Sequence, residues 1–250
     1  MSGFASQDLT VDAFLGGKVQ LLQPREGYRA GVDAVLLAAS LPATPGQRVL
    51  ELGCGAGAAI LCLAARVPGL VLTGVERQPD MAALAQQNGQ GALEVVCADL
   101  ADLPLTVRDR QFDHVLANPP YYDRAASVSS DDPAREAAHG EQTPLAKWMQ
   151  VAGKRLAPKG VATFIHRTAR LPDLIRALPH DLGSVEVLPL AARAGREADR
   201  VILRARKNGR AAFRLHPPLV LHQGAAHTHD GDSYVPMIRD VLRRGAALNY

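Results

Sequence analysis

The fold is decided by the stretch Arg48-Val49-Leu50-Glu51-Leu52-Gly53-Cys54-Gly55-Ala56-Gly57. Its first half is an apolar run typical of a buried strand, and its second half is a glycine-rich turn. The apolar segment 58–65 that follows is predicted to be a helix. A strand, a glycine-rich turn and a helix together bring backbone N–H groups and a helix N-terminus to one point, where a ligand can bind.

The spacing of the three glycines indicates which ligand that is. Gly53-x-Gly55-x-Gly57 differs from the dinucleotide pattern G-x-G-x-x-G, because its third glycine comes one residue early. The acidic Glu51 stands before the first glycine. Its carboxylate would repel a pyrophosphate but would suit the cationic amino end of S-adenosylmethionine, which is therefore the predicted cofactor.

Two further strands are predicted to extend this site. The run 70–75 ends in Glu76, placed to accept hydrogen bonds from ribose hydroxyls, and its neighbour Arg77 is assigned to the same site. The run 93–97 leads to Asp99 and Leu100, a carboxylate and an apolar side chain that could flank an adenine.

A second motif, Asn118-Pro119-Pro120-Tyr121, follows the apolar run 112–117. Proline has no backbone N–H and fixes its own φ, so the chain must leave the sheet at this point. The turn therefore places an amide side chain, a peptide carbonyl and an aromatic ring at the carboxyl end of a strand, where open α/β sheets bind ligands. These groups can hold a flat acceptor that bears an amino group.

The rest of the chain is consistent with an α/β fold. Alternation of strands and helices over 48–111 predicts a mostly parallel sheet with right-handed crossovers. Gly16-Gly17 within 9–24 predicts an N-terminal β-hairpin, and Asp33 is predicted to cap a helix over 34–39.

Further elements are predicted towards the C-terminus. A polar loop is predicted over 123–141, helices over 145–156 and 234–244, and a strand over 161–166. The runs 185–189 and 200–206 predict a closing antiparallel hairpin, and 218–221 predicts another strand.

Composition sets the class of protein. The 250 residues, 47% of them hydrophobic, are enough for a full α/β core, and no run of 18 apolar residues predicts a membrane span. The N-terminus lacks the pattern of a signal peptide, so the cytoplasm is the expected location. The three cysteines lack metal-ligand spacing. The segment that holds His227, His229, Asp230 and Asp232 is interpreted as a polar loop, and no metal site is expected.

Charge is concentrated near the C-terminus. Residues 191–250 carry 11 Lys and Arg against 5 Asp and Glu, whereas the whole chain has a net charge of only +3. A basic segment of this kind indicates either a polyanionic partner or a solvated surface. Contacts with RNA phosphates are predicted first for Arg204, Arg206, Lys207 and Arg210.

The motifs together resemble a known class of enzyme. The loop 51–57, Glu76, Asp99 and the Asn-Pro-Pro-Tyr turn resemble class I S-adenosylmethionine-dependent methyltransferases that act on amino groups. The stretch 15–38, and 200–207 with 218–222, resemble the family of the bacterial tRNA1(Val) adenine-N6 methyltransferases, which modify the adenosine beside the anticodon. The resemblance implies a Rossmann-like, mostly parallel seven-stranded sheet with a C-terminal antiparallel hairpin and a short N-terminal β-hairpin.

The resemblance also implies roles for single residues. Glu51 and the three glycines would hold the methionine part of the cofactor, with Glu76 at the ribose and Asp99 and Leu100 at the adenine. The segment that would lie over the cofactor contains Tyr28, Gly31 and Asp33. The catalytic turn would be Asn118, Pro119, Pro120 and Tyr121, with Asn118 and the Pro119 carbonyl on the target amino group and Tyr121 stacked on the base.

Several alternatives stay open at the level of sequence. The same turn would serve a glutamine-amide methyltransferase acting on a protein, although the sequence shows no separate N-terminal helical substrate domain. A non-catalytic RNA- or nucleotide-binding protein and a DNA adenine methyltransferase are weaker alternatives. One methyltransferase domain is expected, with a hairpin extension over 1–28, a catalytic core over 29–206 and a basic extension over 207–250. The sequence leaves open the target nucleotide and the oligomeric state.

Overall fold

The structure, a computed structural model, describes residues 4–120, 122–123, 140–141, 143–224 and 233–250. The predictions for Tyr121, for most of the loop over 123–141 and for the polar segment around His227 and His229 lie outside the described residues.

The strands form one large sheet and two small ones. In chain order they are β1 (Leu9–Phe14), β2 (Val19–Pro24), β3 (Arg48–Leu52), β4 (Val71–Glu76), β5 (Leu93–Cys97), β6 (Phe112–Ala117), β7 (Tyr122–Asp123), β8 (Gly140–Glu141), β9 (Leu156–Arg167), β10 (Leu182–Ala191), β11 (Ala198–Lys207), β12 (Arg214–Leu215) and β13 (Leu219–Val220). β1 pairs with β2 as an antiparallel hairpin, and β7 pairs with β8.

The helices lie between these strands. They are α1 (Val32–Ser40), α2 (Ala58–Arg66), α3 (Pro79–Gly89), α4 (Leu105–Arg108), α5 (Leu145–Arg155), α6 (Leu171–Arg176) and α7 (Pro236–Arg244). None of the helices in the described ranges is long and apolar enough to cross a membrane.

The large sheet has the strand order β12-β10-β11-β9-β6-β3-β4-β5, and β13 also pairs with β10. β9, β6, β3, β4 and β5 are mutually parallel, and β11 is antiparallel to both of its neighbours. The predicted parallel sheet, N-terminal hairpin and C-terminal hairpin are confirmed. The short strands β12 and β13 extend the predicted seven strands to nine.

Both faces of the sheet are covered, as the sequence of the central strands requires. In β3, Val49 packs on one face with α1, α2 and α7, while Leu50 packs on the other face with α5. Neighbouring residues of a strand point to opposite faces, so a continuous apolar run is typical of a strand buried on both sides. The core therefore fixes the position of the strand ends.

Two local predictions were wrong. α1 begins at Val32 after the N-cap residue Gly31, so Asp33 lies within the first turn and does not cap the helix. Its carboxylate instead lies 3.0 Å from Nε of Arg200 on β11. β9 begins at Leu156, earlier than the predicted start at 161, because the chain passes through Lys159 at φ +67° and stays in the sheet.

One side chain on α3 links the N-terminal hairpin to the glycine-rich loop. Asn88 of α3 accepts a hydrogen bond from the Leu22 N–H at 2.9 Å and donates to the Leu22 carbonyl at 3.0 Å. Asn88 also donates to the Ala56 carbonyl, in the glycine-rich loop, at 2.9 Å. The Asn88 amide thus pairs with the backbone N–H and C=O of Leu22 as a neighbouring strand would, and it links β2 to the glycine-rich loop.

We expect Asn88→Ala to lower the free energy of unfolding by about 2 kcal/mol, because it removes three hydrogen bonds and leaves partly buried backbone groups unpaired. Urea denaturation followed by circular dichroism measures the change. The matched control is Gln86→Ala, at an exposed position of the same helix, which should change stability by less than about 0.5 kcal/mol. Equal effects of the two substitutions would show that Asn88 does not anchor the hairpin.

Candidate functional site

The register of the parallel strands assembles the site. Leu52 at the end of β3 is opposite Ala117 at the end of β6, and Glu76 at the end of β4 is opposite Cys97 of β5. The chain order reverses between β3 and β6, since β4 and β5 lie on one side of β3 and β6 on the other. Ligands of open α/β sheets bind in the crevice outside the strand ends at such a reversal. Gly53 and Asn118, the next residues along the two strands, both lie at this crevice.

Gly53 is required by both its backbone conformation and its surroundings. Its φ is +63°, and a Cβ atom built on it would lie 2.5 Å from Cη2 of Trp148. The indole of Trp148, on α5, is buried, and its Nε1 donates to the Thr143 carbonyl at 3.1 Å. The close approach of this ring keeps the turn compact. No local pattern in the sequence indicates this contact, because a single tryptophan on an amphipathic helix is typical of a core residue.

Glu76 holds the loop from the side of β4. Its carboxylate accepts hydrogen bonds from the Gly55 N–H at 2.9 Å and from the Gln78 N–H at 2.8 Å. Its side chain is almost completely buried. A carboxylate has about four acceptor positions, so these two bonds leave capacity for a ligand. The contact with ribose hydroxyls stays a prediction.

Glu51 caps the N-terminus of α2, although it lies several residues before the helix in the sequence. α2 follows Gly57, which has no side chain to cap it, and Glu51 accepts the Ile60 N–H at 3.0 Å in the first helical turn. Glu51 is 3% exposed, and this burial raises its pKa to about 8. The bond from Ile60 acts in the opposite direction, and the nearby Glu76 adds to the rise. A cation bound at this carboxylate would favour its ionised form.

The predicted adenine residues lie beyond β5. Asp99 Oδ1 accepts the Ala101 N–H at 2.7 Å, so this carboxylate shapes its own turn, and Leu100 beside it is buried. Arg77, after Glu76, is exposed. Contacts of these three residues with a cofactor stay predictions.

Asn118 is held in a defined orientation. Its Nδ2 donates to the Tyr28 hydroxyl at 3.2 Å. Its Oδ1 is buried, and within the described ranges no hydrogen-bond donor contacts it. A buried acceptor without a donor costs about 1–3 kcal/mol and is typical of a functional site. The side chain therefore presents an unused acceptor at the end of β6.

Tyr28 reaches Asn118 because the N-terminal hairpin fixes the segment that follows it. Buried Gln23 of β2 accepts the Ala30 N–H at 2.7 Å, and Arg29 forms an ion pair with Asp12 of β1 at 2.5 Å. Desolvation, followed by the negative charges of Asp33 and Glu51, raises the pKa of Tyr28 to about 12. The Tyr28 hydroxyl is thus protonated at neutral pH, although 41% of the residue is exposed.

His166 is a site residue that sequence reasoning missed. It lies near the end of β9, beside the end of β6, and it is completely buried. Its Nδ1 accepts the Arg167 N–H at 2.8 Å. Desolvation, followed by the charge of Arg170, lowers its pKa to about 4, and the nearby Pro120 backbone acts in the opposite direction. The ring is therefore neutral at neutral pH, and it lies beside the turn that follows β6. The sequence signal that could have identified His166 is its position at the carboxyl end of a predicted strand, where open α/β sheets bind ligands.

The residues predicted to bind RNA lie towards the opposite end of the sheet, away from the strand ends that form the candidate site. Arg206 is opposite Val161, which is level with His114 near the amino end of β6, and it lies roughly 20 Å along β11 from Arg200. Arg204 stacks over the Tyr250 ring at 4.3 Å, and Lys207 contacts the Gly153 carbonyl at 2.7 Å, so both have internal roles.

Arg206 and Arg210 are exposed. For all four basic residues, RNA contact stays a prediction. Among the described residues there is no group of three or more His, Cys, Asp or Glu suited to a metal ion.

We expect Glu51→Gln to change how the stability of the ligand-free protein depends on pH. The folded pKa of about 8 lies above the ordinary glutamate pKa of 4.5, so the folded state binds more protons across that interval. Stability must then fall as pH rises from about 5 to 8, and the variant lacks this fall. Thermal unfolding from pH 5 to 9 should give the variant an advantage of a few degrees at pH 8 and above.

The difference between the two proteins isolates Glu51, because buried His114 and His166, with pKa lowered to about 4, titrate in both. Parallel curves for wild type and variant would contradict the raised pKa.

The comparisons with known proteins agree with this geometry. Residues 49–128 match the family model described as "Methyltransferase domain". The chain is 30% identical over 207 residues to the tRNA1(Val) (adenine(37)-N6)-methyltransferase of Aeromonas hydrophila, covering 81% of this chain and 83% of that one. The relative of the same name from Porphyromonas gingivalis is 30% identical over 66% of this chain and 69% of its own length.

A solved structure shows the same fold. The crystal structure of a predicted O-methyltransferase, protein Atu636 from Agrobacterium tumefaciens, superposes with a TM-score of 0.71 at 26% identity. It covers 86% of this chain and 98% of its own. The fold and domain are those of class I methyltransferases, whose catalysis depends on S-adenosylmethionine. The identity and coverage of these relatives show that the chain belongs to the tRNA1(Val) (adenine(37)-N6)-methyltransferase family.

Proposed function

We propose that this protein transfers a methyl group from S-adenosylmethionine to the exocyclic N6 amino group of an adenosine in tRNA, next to the anticodon. The observation that carries the proposal is the buried Oδ1 of Asn118, an acceptor that no described donor contacts. It lies at the end of β6, beside the glycine-rich loop. The names of the curated relatives support the choice of tRNA and of adenine N6.

The residues at the ends of β3 to β5 fit the proposed cofactor. Gly53 and Gly55, both at positive φ, let the backbone approach a ligand closely, and buried Glu51 suits the cationic amino group. Glu76 would accept the ribose hydroxyls, and Asp99 with Leu100 would lie at the adenine. When bound, the cofactor supplies an electrophilic methyl group on a sulfonium centre.

The chemistry needs acceptors for N–H groups. The lone pair of an adenine amino group is delocalised into the ring, which makes the nitrogen a poor nucleophile. Asn118 Oδ1 and the Pro119 carbonyl would accept the two N–H bonds and localise the lone pair on nitrogen. That pair would accept the methyl group that the cofactor supplies, and the methylated nitrogen would then release one proton to solvent water. Both acceptors bind the developing positive charge more strongly than the neutral amine, which stabilises the transition state.

No nucleophilic or general-base side chain is needed for this step. His166 has its pKa lowered to about 4 and its Nδ1 bonded to the Arg167 N–H, so its ring stays neutral and is given no role in proton transfer. In the proposal Tyr121 stacks on the target base and holds it in line with the methyl group. A base in an RNA loop must be turned out of its stack to reach this site.

The first experiment is transfer of labelled methyl from S-adenosylmethionine to purified cellular RNA, followed by nucleoside mass spectrometry. N6-methyladenosine in the tRNA fraction is the expected product. The same pair of acceptors could hold the amide of a protein glutamine. Label in protein with none in RNA would therefore overturn the RNA substrate and favour that alternative.

We expect Asn118→Ala to lower kcat by about 100- to 1,000-fold, as the loss of one transition-state acceptor does elsewhere. Cofactor affinity should stay within about twofold, because the loop residues that would hold the cofactor are unchanged. Single-turnover methylation and isothermal calorimetry separate the two quantities. An equal loss of both would assign Asn118 to cofactor binding and not to catalysis.

Tyr28 should act through Asn118. We expect Tyr28→Phe to lower kcat by about tenfold with KM for tRNA unchanged, because the amide of Asn118 loses the acceptor that orients it. In an Asn118→Ala background the same change should have no further effect on kcat. Additive losses in this double-mutant cycle would show that Tyr28 acts independently of Asn118.

A further inference from the structure

A cavity separate from the glycine-rich loop lies at the same end of the strands as the Asn118 turn. Its volume is about 240 Å³, and its walls include Asp33 of α1, Arg200 of β11, and His222 and Tyr234 from the segments next to β13 and α7. In the strand order, β11 and β10 lie on the opposite side of β6 from β3, β4 and β5. The cavity is therefore on the acceptor side of Asn118 and away from the proposed cofactor site.

Strand pairing and electrostatics show that the cavity adjoins the catalytic turn. Arg200 is opposite Arg167, the residue after His166, and β11 lies two strand spacings, roughly 10 Å, from β6. Arg200 contributes to the lowered pKa of His166, and Asp33 contributes to the raised pKa of Tyr28. The wall formed by Arg200 therefore lies one strand from His166 and two strands from the end of β6.

One wall of the cavity is a fixed aromatic surface. The rings of His222 and Tyr234 stack with their centroids 4.4 Å apart and an interplanar angle of 24°. The two residues form an antiparallel backbone bridge, and His222 Nδ1 lies 2.9 Å from the Ser233 hydroxyl. The Val235 N–H also donates to the Leu221 carbonyl at 2.9 Å. These hydrogen bonds fix the positions of the two stacked rings.

The remaining lining combines polar and apolar groups. Arg200 Nε lies 3.0 Å from Asp33 Oδ2, and Arg200 Nη1 donates to the Asp199 carbonyl at 3.3 Å. Leu190 and Leu221 complete the lining. A ligand in this cavity would meet donors and acceptors at its edge, apolar side chains, and an aromatic ring against its face. Pockets for drug-sized ligands begin at about 300 Å³, so this cavity suits a single ring system.

We propose that this cavity binds an unpaired nucleobase of the RNA, a few nucleotides from the methylated adenosine. A nucleobase is flat, stacks on aromatic rings and carries hydrogen-bonding groups only on its edges, which matches the lining. Arg200 lies two strand spacings from β6, roughly 10 Å, and the ring pair beside β13 lies four spacings away, roughly 20 Å, a span that a few nucleotides of one strand can cover. The inference rests on the proposed function and adds a specificity site to it.

The test uses full-length tRNA assembled by ligation, with a single abasic nucleotide in turn at each unpaired position of the loop that holds the target adenosine. We expect one abasic position to raise KM about tenfold for the wild-type protein, as the loss of one stacked base does. Tyr234→Leu should raise KM for intact tRNA by the same factor. That abasic position should have no further effect on the variant, because both changes remove the same contact.

Two control variants distinguish a loss of base stacking from a general effect of the substitution on folding. Tyr234→Phe keeps the ring and should behave as wild type, and so should Phe213→Leu, which removes an exposed aromatic ring outside the cavity. Cofactor affinity should be unchanged in all variants. The inference is overturned if the wild type methylates tRNA with the same KM at every abasic position. It is also overturned if the abasic nucleotide and Tyr234→Leu together raise KM by the product of their separate effects. Absence of methyl transfer to any RNA overturns the proposed function itself.

Discussion

The register between β3 and β6 is the constraint on which the site depends. Leu52 opposite Ala117 places the first residue of the glycine-rich loop next to Asn118, and a shift of one residue would reverse the face to which each side chain points. The register is fixed by burial on both faces, since Val49 and Leu50 pack into different halves of the core. Catalytic geometry is in this sense a result of core packing.

Around this pair of strand ends, each candidate site residue forms a hydrogen bond with a different element. Glu76 bonds the loop from β4, and Glu51 bonds the first turn of α2. Tyr28 bonds Asn118 from the segment after the N-terminal hairpin. The hairpin, which is remote in sequence from the strand ends, is thus connected to the turn at Asn118.

The sequence predicted the parts of this arrangement that rest on local chemistry. A glycine-rich turn after a buried strand, and prolines that end the next one, can be recognised without knowledge of the fold, and both lie where they were expected. Asp33 was interpreted as a cap because aspartate before an apolar run is typical of one. It pairs with Arg200, a residue 167 positions away, which no local pattern reveals. The net charge of residues 191–250 likewise could not show which edge of the sheet Arg206 would occupy, since that depends on the direction of β11.

The unpartnered acceptor of Asn118 has a consequence for how such a protein changes under selection. A buried oxygen without a donor lowers the stability of the resting protein, and an apolar side chain of similar size would avoid that cost. A population selected for heat resistance alone would therefore be expected to replace Asn118 early. The persistence of an asparagine at this position would then record selection for turnover, because the same atom that weakens the empty protein is the one a substrate amine would satisfy.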